Sequence, residues 1–479
     1  MSIKKISSLL LTFILGVGLT FSENIKTGSL NKDWLKIYYE SDGFKRINAH
    51  PTSLIDSIYY SSVSIDSLTT ELYLNVASVD SGLFSLSVDS INSIVLGTNI
   101  PTLYITTDPY VKEITSKVDY IQATLEYIPY GDGTDTIQGS VNIKGRGNTT
   151  WSYPKKPYRL KFEKKQPLGG LKKAKSFVLL ANYLDNTIIK NAIAFKIAEL
   201  IGLPYTNTAV PVHLFFNGEY RGSYVLTEKI GINSGSIDID ETKGILWELD
   251  TSFDEEYKFR DPIYELPLMV KDPDFNDLSQ SEAEKEAMWE MWKNDVMEAI
   301  SMVPKGKWTD AFDEDQLVKF FFVNTLVLNG ELAHPKSTYM YKEAIGEKYK
   351  FGPVWDFDRS FGGNMEIDYP ITSIWGGHFY ARKFLEPIFS DERFKEKFRK
   401  VMDDFIETKL DALMEYIDSY AALVRDSALA DALVWPEGHP EARNNERSTA
   451  RFDENVQELK DWIPKRLELV KNSPTFLLY

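Results

Sequence analysis

Two short segments of the chain carry residue types that could act on a phosphorylated ligand. The first runs from Val141 to Lys175 and holds eleven Lys and Arg residues against a single acid, Glu163. The whole chain has a formal net charge of -16, so this segment opposes the general charge balance. Concentrated positive charge is suited to binding phosphate groups. A basic hairpin that simply faces solvent is the alternative that the pattern leaves open.

The second segment runs from Phe351 to Gly363 and reads FGPVWDFDRSFGG. Asp356 and Asp358 lie one residue apart, and in a β-strand positions i and i+2 point to the same face. Paired carboxylates beside hydrophobic residues are costly to bury unless a positive group meets them. Magnesium is the usual cation where oxygen ligands meet phosphate. The spacing therefore predicts a metal site, and a turn that exposes both acids to solvent is the alternative.

The elements around these segments are predicted from hydrophobic periodicity. The runs IPTLYITT, YIQATLEYI and SVNIKG predict antiparallel strands that lead into the basic hairpin. Asn186 to Ile201 has the apolar spacing of a buried helix, with Asp185 or Asn186 as its cap. The run VHLFFNGEYRGSYVLTEKI predicts a further hairpin. Helices are predicted for residues from about 276 to 330 and from Glu386 onwards.

A larger pattern extends over roughly residues 100 to 365. Its motifs read GRGNTTWSYPKKPYRLKF, SFVLLANYLDNTIIKNAIAFKIAELIGLPYT, VHLFFNGEYRGSYVLTEKI, ILWELDTSFDEEY, HPKSTYMYK and GPVWDFDRSFG. Together they resemble the CotH-type (spore coat protein H) family of atypical secreted kinases. The resemblance implies an α+β fold that is atypical protein-kinase-like and two-lobed, with an antiparallel sheet lobe and a mostly helical lobe. It also implies ATP and Mg2+ as cofactors.

The resemblance further implies roles for the acidic residues. Asp356 and Asp358 resemble the metal-binding acids of the family, and Asn329 is a third metal candidate. The catalytic candidates are Asp356 and Glu331, which lies in NGELAHPKS where the family's catalytic loop is expected. Many members carry Asp at that position. Glu331 can still accept a proton, but its extra methylene moves the carboxylate, and a displacement of about 1 Å can cost on the order of a hundredfold in rate.

The basic hairpin supplies candidates for contacts with the nucleotide. Phosphoryl transfer needs a cation on the phosphates as well as a carboxylate-held metal. Lys161, in the strand-like run YRLKF, is the first candidate, with a plain surface lysine as the alternative. Arg146, Arg159 and Asn148 are the others, and GRGN stands where ordinary kinases have GxGxxG. Four further polar residues are candidates for contacts in this site or, for the two acids, for a salt-bridge network: Glu248, Asp250, Lys336 and Ser337.

The order of segments along the chain predicts its domains. Residues 1–22 have a charged start and an apolar run too short to span a bilayer, which is typical of a signal peptide. Residues 23–98 predict a small β-rich leading module. Residues 99–479 predict a CotH-like kinase domain, with an N-lobe over about 99–250 and a helical C-lobe over about 251–479. Export to the cell surface, the periplasm or the medium is therefore expected.

Composition excludes several classes of function. The chain has no cysteine, which excludes disulfides, thiolate metal sites and thiol catalysis. Its acidic balance argues against general nucleic-acid binding, and no second long apolar run predicts a transmembrane span. The sequence therefore predicts a secreted atypical Ser/Thr protein kinase that acts on an exported protein. The alternatives are a non-catalytic surface or envelope scaffold with the same fold, and a transferase acting on another nucleotide or a glycan.

Overall fold

The computed structural model divides the chain into two compact units, Met1–Thr98 and Asn99–Tyr479. The predicted signal peptide lies outside the described residues, as do the His-containing segments around residues 378 and 439. The structure describes residues 100–130, 135–333, 335–362, 380–435 and 449–472, together with the backbone of the strands between residues 25 and 96.

The first unit contains two antiparallel sheets in its described residues. The strands are β1 Ile25–Lys26, β2 Trp34–Ser41, β3 Phe44–Pro51, β4 Ile55–Val63, β5 Thr69–Val76, β6 Leu83–Ser87 and β7 Ile91–Leu96. One sheet has the order β1-β4-β5-β6 and the other β3-β2-β7. The alternating sequence of this segment predicts short strands, and its described backbone consists of strands.

The second unit begins with a closed β-barrel. Its strands are β8 Thr102–Thr107, β9 Ile121–Ile128, β10 Ile137–Gly145, β11 Tyr158–Leu168, β12 Leu171–Leu180, β13 Val210–Phe216 and β14 Glu219–Glu228. They close in the order β10-β11-β12-β14-β13-β8-β9, and β8 pairs with β13 in parallel. The sequence predicts an antiparallel sheet here, and both the closure and the parallel pair correct that prediction. Local alternation reveals strands but not their distant partners.

The barrel determines which residues of the basic hairpin face outwards. Strands β10 and β11 are antiparallel neighbours, so the predicted hairpin is present. Ile143 of β10 and Leu160 of β11 are fully buried in the barrel core. Because side chains alternate across a strand, Lys144, Arg159 and Lys161 lie on the outer surface.

A second sheet follows the barrel. Its strands are β15 Ile245–Leu249, β16 Lys258–Arg260, β17 Pro267–Asp272, β18 Thr338–Lys342 and β19 Lys350–Phe351. They are all antiparallel, in the order β16-β17-β15-β18-β19. The sequence predicts a mostly helical segment after residue 251, and β16 to β19 correct that prediction. Every residue of β18 is buried, so this strand lacks the polar–apolar alternation that identifies a half-exposed strand.

The described residues of the second unit also contain eight α-helices. The predicted helix after Asp185 is present, and the Asp185 side chain accepts the backbone N–H of Lys190 at 2.8 Å, near the helix start. No helix in the described ranges is long and apolar enough to cross a membrane. The helices are α1 Lys190–Leu200, α2 Glu282–Ser301, α3 Trp308–Ala311, α4 Glu314–Leu326, α5 Tyr380–Ser390, α6 Glu392–Thr408, α7 Leu410–Val434 and α8 Thr449–Asn472.

Helix α7 is joined to the barrel by a buried ion pair. Lys155 Nζ lies 2.6 Å from Asp431 Oδ1, and both side chains are almost fully buried. The same carboxylate oxygen accepts the backbone N–H of Ser223 at 2.9 Å. Gly222 has a φ of +99°, and a Cβ there would meet Asp431 Oδ1 at 2.1 Å. A glycine is therefore required where the α7 carboxylate approaches strand β14.

Candidate active site

A cavity of about 590 Å³ lies beside the outer face of β10 to β12 and is bordered by the second sheet and the loop after β19. It brings together most of the residues that the sequence analysis selects. Two of them, Lys161 and Asn329, are not among its lining residues. The predicted residues that line the cavity are Arg146, Asn148, Arg159, Glu248, Asp250, Glu331, Lys336, Ser337, Asp356 and Asp358.

Three carboxylates meet on one side of this cavity. Glu331 lies in the short 3-10 turn Gly330–Ala333, and its side chain is buried. Burial and the neighbouring Asp356 raise the pKa of Glu331 to about 7, although Arg359 opposes this increase. Burial, Asp356 and Glu331 also raise the pKa of Asp358 well above its ordinary value. The acids are therefore close enough to repel one another, which favours binding of a cation.

Asp356 and Asp358 reach the cavity from a loop and not from a strand. Their segment is outside regular secondary structure, and Asp356 has a φ of +67°, a left-handed value that is uncommon for residues other than glycine. Phe195 of α1 packs against Trp355 and Phe357, with ring centroids 6.1 and 6.3 Å apart. The predicted strand is therefore wrong, but the two aromatic residues are buried and both acids face the cavity.

Helix α1 holds this loop through a buried asparagine. Asn191 Oδ1 accepts the backbone N–H of Phe357 at 3.0 Å, and its Nδ2 donates to Asn182 Oδ1 at 3.1 Å. Lys190 donates to the backbone carbonyl of Asp358 at 3.3 Å. These contacts fix the backbone between the two acids and at Asp358 itself. The sequence analysis does not identify Asn191 or Lys190, although two polar residues directly before the apolar run AIAF were a usable signal.

Asn329 supports Glu331 from outside the cavity. Its Oδ1 accepts the backbone N–H of Glu331 at 3.1 Å, and its Nδ2 donates to Asn324 Oδ1 at 2.9 Å. Both polar atoms of the side chain are therefore engaged within the protein. This geometry gives Asn329 a positioning role and does not support its predicted role as a metal ligand.

The structure also leaves Lys161 outside the cavity. Lys161 pairs with Asn142 and Ser176 in the barrel, and its side chain is exposed. Arg159 lies two residues nearer the GRGN loop on the same outer face and lines the cavity. Two residues along a strand correspond to roughly 6.6–6.8 Å. The geometry therefore does not support the predicted contact of Lys161 with a ligand in the cavity, and Arg159 is the better placed cation.

The GRGN loop brings Arg146 to the acidic side of the cavity. The Arg146 guanidinium lies 5.4 Å from the ring centroid of Trp355. Burial lowers the pKa of Arg146, while the nearby Asp356 acts in the opposite direction. A Cβ on Gly145 would meet the ring of Trp151 at 2.2 Å, so the ring can cover the end of β10 only because this residue is glycine.

Two lysines of the cavity are absent from the sequence predictions. Lys271 Nζ lies 2.7 Å from carboxylate oxygens of both Glu248 and Glu255, so Glu248 belongs to a salt-bridge network. Burial lowers the pKa of Lys271, but the two carboxylates more than offset this and hold it above its ordinary value. Lys229 has a pKa lowered to about 7 by burial, with Arg159 and Lys271 contributing. Both lysines lie at or just beyond the end of a strand, where the local pattern does not reveal their partners.

Comparison with known families identifies the family of the chain. The family described as CotH kinase protein matches residues 143–470, which is more than half of the chain. This chain belongs to the CotH kinase family. The resemblance seen in the sequence motifs is therefore confirmed. No curated protein matches the chain at a significant level.

Membership of the CotH kinase family suggests nucleotide and metal use in general. The arrangement of the acids in this chain can therefore be compared with the ligands that a metal ion requires. In the part of the chain that the structure describes, no group of three or more His, Asp or Glu residues is arranged as a preformed metal site. Mg2+ usually takes one or two carboxylates and completes its shell with water and substrate phosphates. Asp356 and Asp358 face one cavity and supply hard oxygen donors, so they fit this smaller requirement.

Proposed function

We propose that this CotH-family protein is a secreted atypical kinase that transfers the γ-phosphoryl group of ATP, with Mg2+, to Ser or Thr of an exported protein. One observation carries the proposal. Glu331, Asp356 and Asp358 converge in a single cavity that is also lined by Arg146 and Arg159. Phosphoryl transfer needs this combination of carboxylates and cations. Family membership supports the kinase chemistry, and the signal-like first 22 residues support export.

The order of elements supports a two-lobed, kinase-like arrangement of the second unit. In this proposal the barrel serves as the N-lobe, and the second sheet with the helices serves as the C-lobe. The adenine base would lie against the apolar side chains that line the cavity, Val178, Leu180 and Ile230. The phosphates would then extend towards the GRGN loop, where Arg146, Arg159 and Asn148 are the proposed contacts. A bidentate guanidinium suits a phosphate better than a single amine does.

The three acids have different proposed roles in the transfer step. Asp356 and Asp358 would hold Mg2+, which when bound neutralises negative charge on the phosphates. Glu331 is the proposed general base for the acceptor hydroxyl, and Asp356 is its neighbour in the catalytic pair. The Glu331 pKa of about 7 suits a group that takes up a proton near neutral pH. As the new bond from the acceptor oxygen to phosphorus forms, the bond to the β-phosphate oxygen breaks, ADP leaves and the proton passes to Glu331.

A non-catalytic envelope or surface scaffold is the second candidate, and one observation favours it. Glu331 stands where the resemblance leads us to expect Asp in many members. The longer side chain moves the carboxylate, and a displacement of about 1 Å can cost on the order of a hundredfold in rate. A scaffold would keep the fold and lose the transfer step.

Transfer of radiolabel from γ-labelled ATP to the protein itself and to a Ser/Thr peptide library tests the proposal. We expect Mg2+-dependent incorporation by the wild type. Glu331→Gln should lower it by roughly a hundredfold or more, because general-base catalysis contributes about 10²–10⁴-fold. The exposed Glu347→Gln serves as the matched control. A wild type that binds Mg-ATP tightly but transfers no label would favour the scaffold.

A further inference from the structure

Three cations surround one aromatic ring at the mouth of the cavity. Lys144 Nζ, Lys161 Nζ and Arg159 Cζ lie 4.7, 5.8 and 5.9 Å from the ring centroid of Tyr120. We name these four residues the Tyr120 cluster. Lys144 and Arg159 line the cavity, whereas Lys161 is exposed beyond it. The cluster therefore extends from the cavity onto the outer surface of the barrel.

Strand pairing places these like charges against each other. Lys144 lies directly opposite Arg159 in the antiparallel pair of β10 and β11, and Lys161 lies opposite Asn142 on the same face. Like charges at directly opposite positions destabilise a sheet. Burial lowers the pKa of Lys144, and Arg159 and Lys161 lower it further. The barrel therefore carries an electrostatic cost at this point that a bound anion would offset.

The described part of the protein supplies no carboxylate partner to these cations. None of Lys144, Arg159 and Lys161 forms a salt bridge with a described residue. The two acids whose charges act on Lys144 have other partners, because Asp119 accepts a hydrogen bond from the Ser116 hydroxyl at 3.0 Å and Glu255 pairs with Lys271.

Two polar atoms of the cluster also remain unpaired. Arg159 Nε and the Tyr120 hydroxyl are buried atoms with no hydrogen-bond partner among the described residues. Buried donors without a partner are costly, and most such groups in proteins are satisfied. Arg159 therefore keeps a donor for an anion in the cavity, and the two lysines of the cluster are left for an anion at its rim.

The surroundings of the cluster suit a polypeptide ligand better than they suit the nucleotide. Val118 lies at the cavity mouth with 78% of its surface exposed, and the exposed Lys117 lies beside it. Asp119 and Glu255 act on Lys144 in the opposite direction to Arg159 and Lys161, so the rim of the cavity carries charges of both signs beside an exposed apolar residue. A chain that enters the cavity from solvent would pass this apolar and cationic rim.

We propose that Lys144 and Lys161 of the Tyr120 cluster bind an anionic side chain, a carboxylate or a phosphoryl group, of the protein substrate, while Arg159 faces the nucleotide phosphates in the cavity. The kinase would then select Ser or Thr residues that lie in acidic segments. This inference rests on the proposed kinase function and adds the class of substrate. Recognition of acidic motifs by clustered cations is physically reasonable because charge-assisted hydrogen bonds are stronger than neutral ones.

Fluorescence anisotropy with matched peptides tests the proposal. The probes are a labelled peptide with one Ser flanked by Asp, and the same peptide with Asn in place of each Asp. The wild-type protein should bind the Asp peptide at least about tenfold more tightly. The variant Lys144→Gln/Lys161→Gln should lose most of this preference. The control Lys172→Gln/Lys175→Gln removes two exposed charges from the neighbouring strand β12 and should retain it.

Mg-ATP titrations of the same variants separate the possible outcomes. If Lys144→Gln/Lys161→Gln weakens Mg-ATP binding as strongly as Asp-peptide binding, the cluster serves the nucleotide and the proposal is overturned. Equal losses of peptide binding in the two lysine variants, or no preference of the wild type for Asp, overturn it as well. A peptide with phosphoserine in place of Asp identifies the preferred anion. A wild type that binds the Asp peptide selectively but does not bind Mg-ATP would refute the kinase function. The same result would support the Tyr120 cluster as a binding site for acidic peptides.

Discussion

The side-chain oxygen of Asn191 accepts the backbone N–H of Phe357 at 3.0 Å. This hydrogen bond ties helix α1 to the one residue that separates Asp356 from Asp358. The aromatic ring of Phe357 is fully buried, so the residue is held from both its backbone and its side chain. The positions of two acids in the cavity therefore depend on a polar residue that lies on a different element.

Asn191→Ala should affect both stability and ligand binding. Removal of the acceptor leaves the Phe357 N–H buried and unpaired, which should lower the free energy of unfolding by about 1–3 kcal/mol. Mg-ATP affinity should fall as well, because the acids lose their support. Chemical denaturation and calorimetric titration measure the two effects, with the exposed Asn276→Ala as control. A destabilised variant with unchanged Mg-ATP affinity would show that Asn191 serves the fold alone.

The Lys155–Asp431 ion pair should matter strongly for stability. Asp431→Ala would leave the Lys155 charge buried without its partner, and such losses typically cost about 3–5 kcal/mol. The double variant Lys155→Met/Asp431→Leu should recover much of this cost, since it buries no charge. Urea denaturation of the single and double variants measures both values. A double variant that is no more stable than Asp431→Ala would contradict the explanation.

Lys229 should make stability depend on pH. Its folded-state pKa is about 7, against an ordinary value of 10.5. Between these values the unfolded chain binds more protons than the folded chain, so the destabilisation is complete below about pH 7 and disappears as pH rises towards 10.5. Lys229→Met should therefore raise the melting temperature most in acidic buffer and least in alkaline buffer. The exposed Lys172→Met serves as the control. A change in melting temperature that is the same at every pH for Lys229→Met would refute the prediction.

Deletion of residues 24–98 should leave a folded protein that binds Mg-ATP. All lining residues of the cavity lie between Lys117 and Arg359, and the compact units divide after Thr98. Circular dichroism and Mg-ATP titration of the truncated protein check this expectation. Normal secondary structure with no nucleotide binding would mean that the leading segment contributes to the site.

The two acids that the local sequence pattern singled out, Asp356 and Asp358, both line the cavity. Trp355 and Phe357 are apolar and favour burial. Asp356 and Asp358, which alternate with them, were therefore expected to point to the same side. The same pattern gave a wrong strand, because the positive φ of Asp356 leaves no trace in side-chain polarity. The path of the backbone there depends on contacts with Phe195 and Asn191 of α1.

The cationic side of the cavity was harder to predict. Arg159 and Lys161 share a strand face and a charge, and only the closed barrel decides that Arg159 lines the cavity. That closure depends on β8 and β13, which are distant in sequence. The ion pair of Lys271 with Glu248 likewise joins two strands that no local period connects. Residues whose roles depend on remote partners were therefore missed, whereas those in compact motifs were found.

Calorimetric titration with ATP, with and without Mg2+, tests the central claim most directly. The account predicts that Asp356→Asn and Asp358→Asn each weaken Mg2+-dependent binding by at least about tenfold while the melting temperature shows that the fold is retained. Asp254→Asn, which removes the same charge from an exposed residue at the cavity edge, should change affinity little. Unchanged Mg-ATP titrations in both the Asp356 and Asp358 variants would contradict the account.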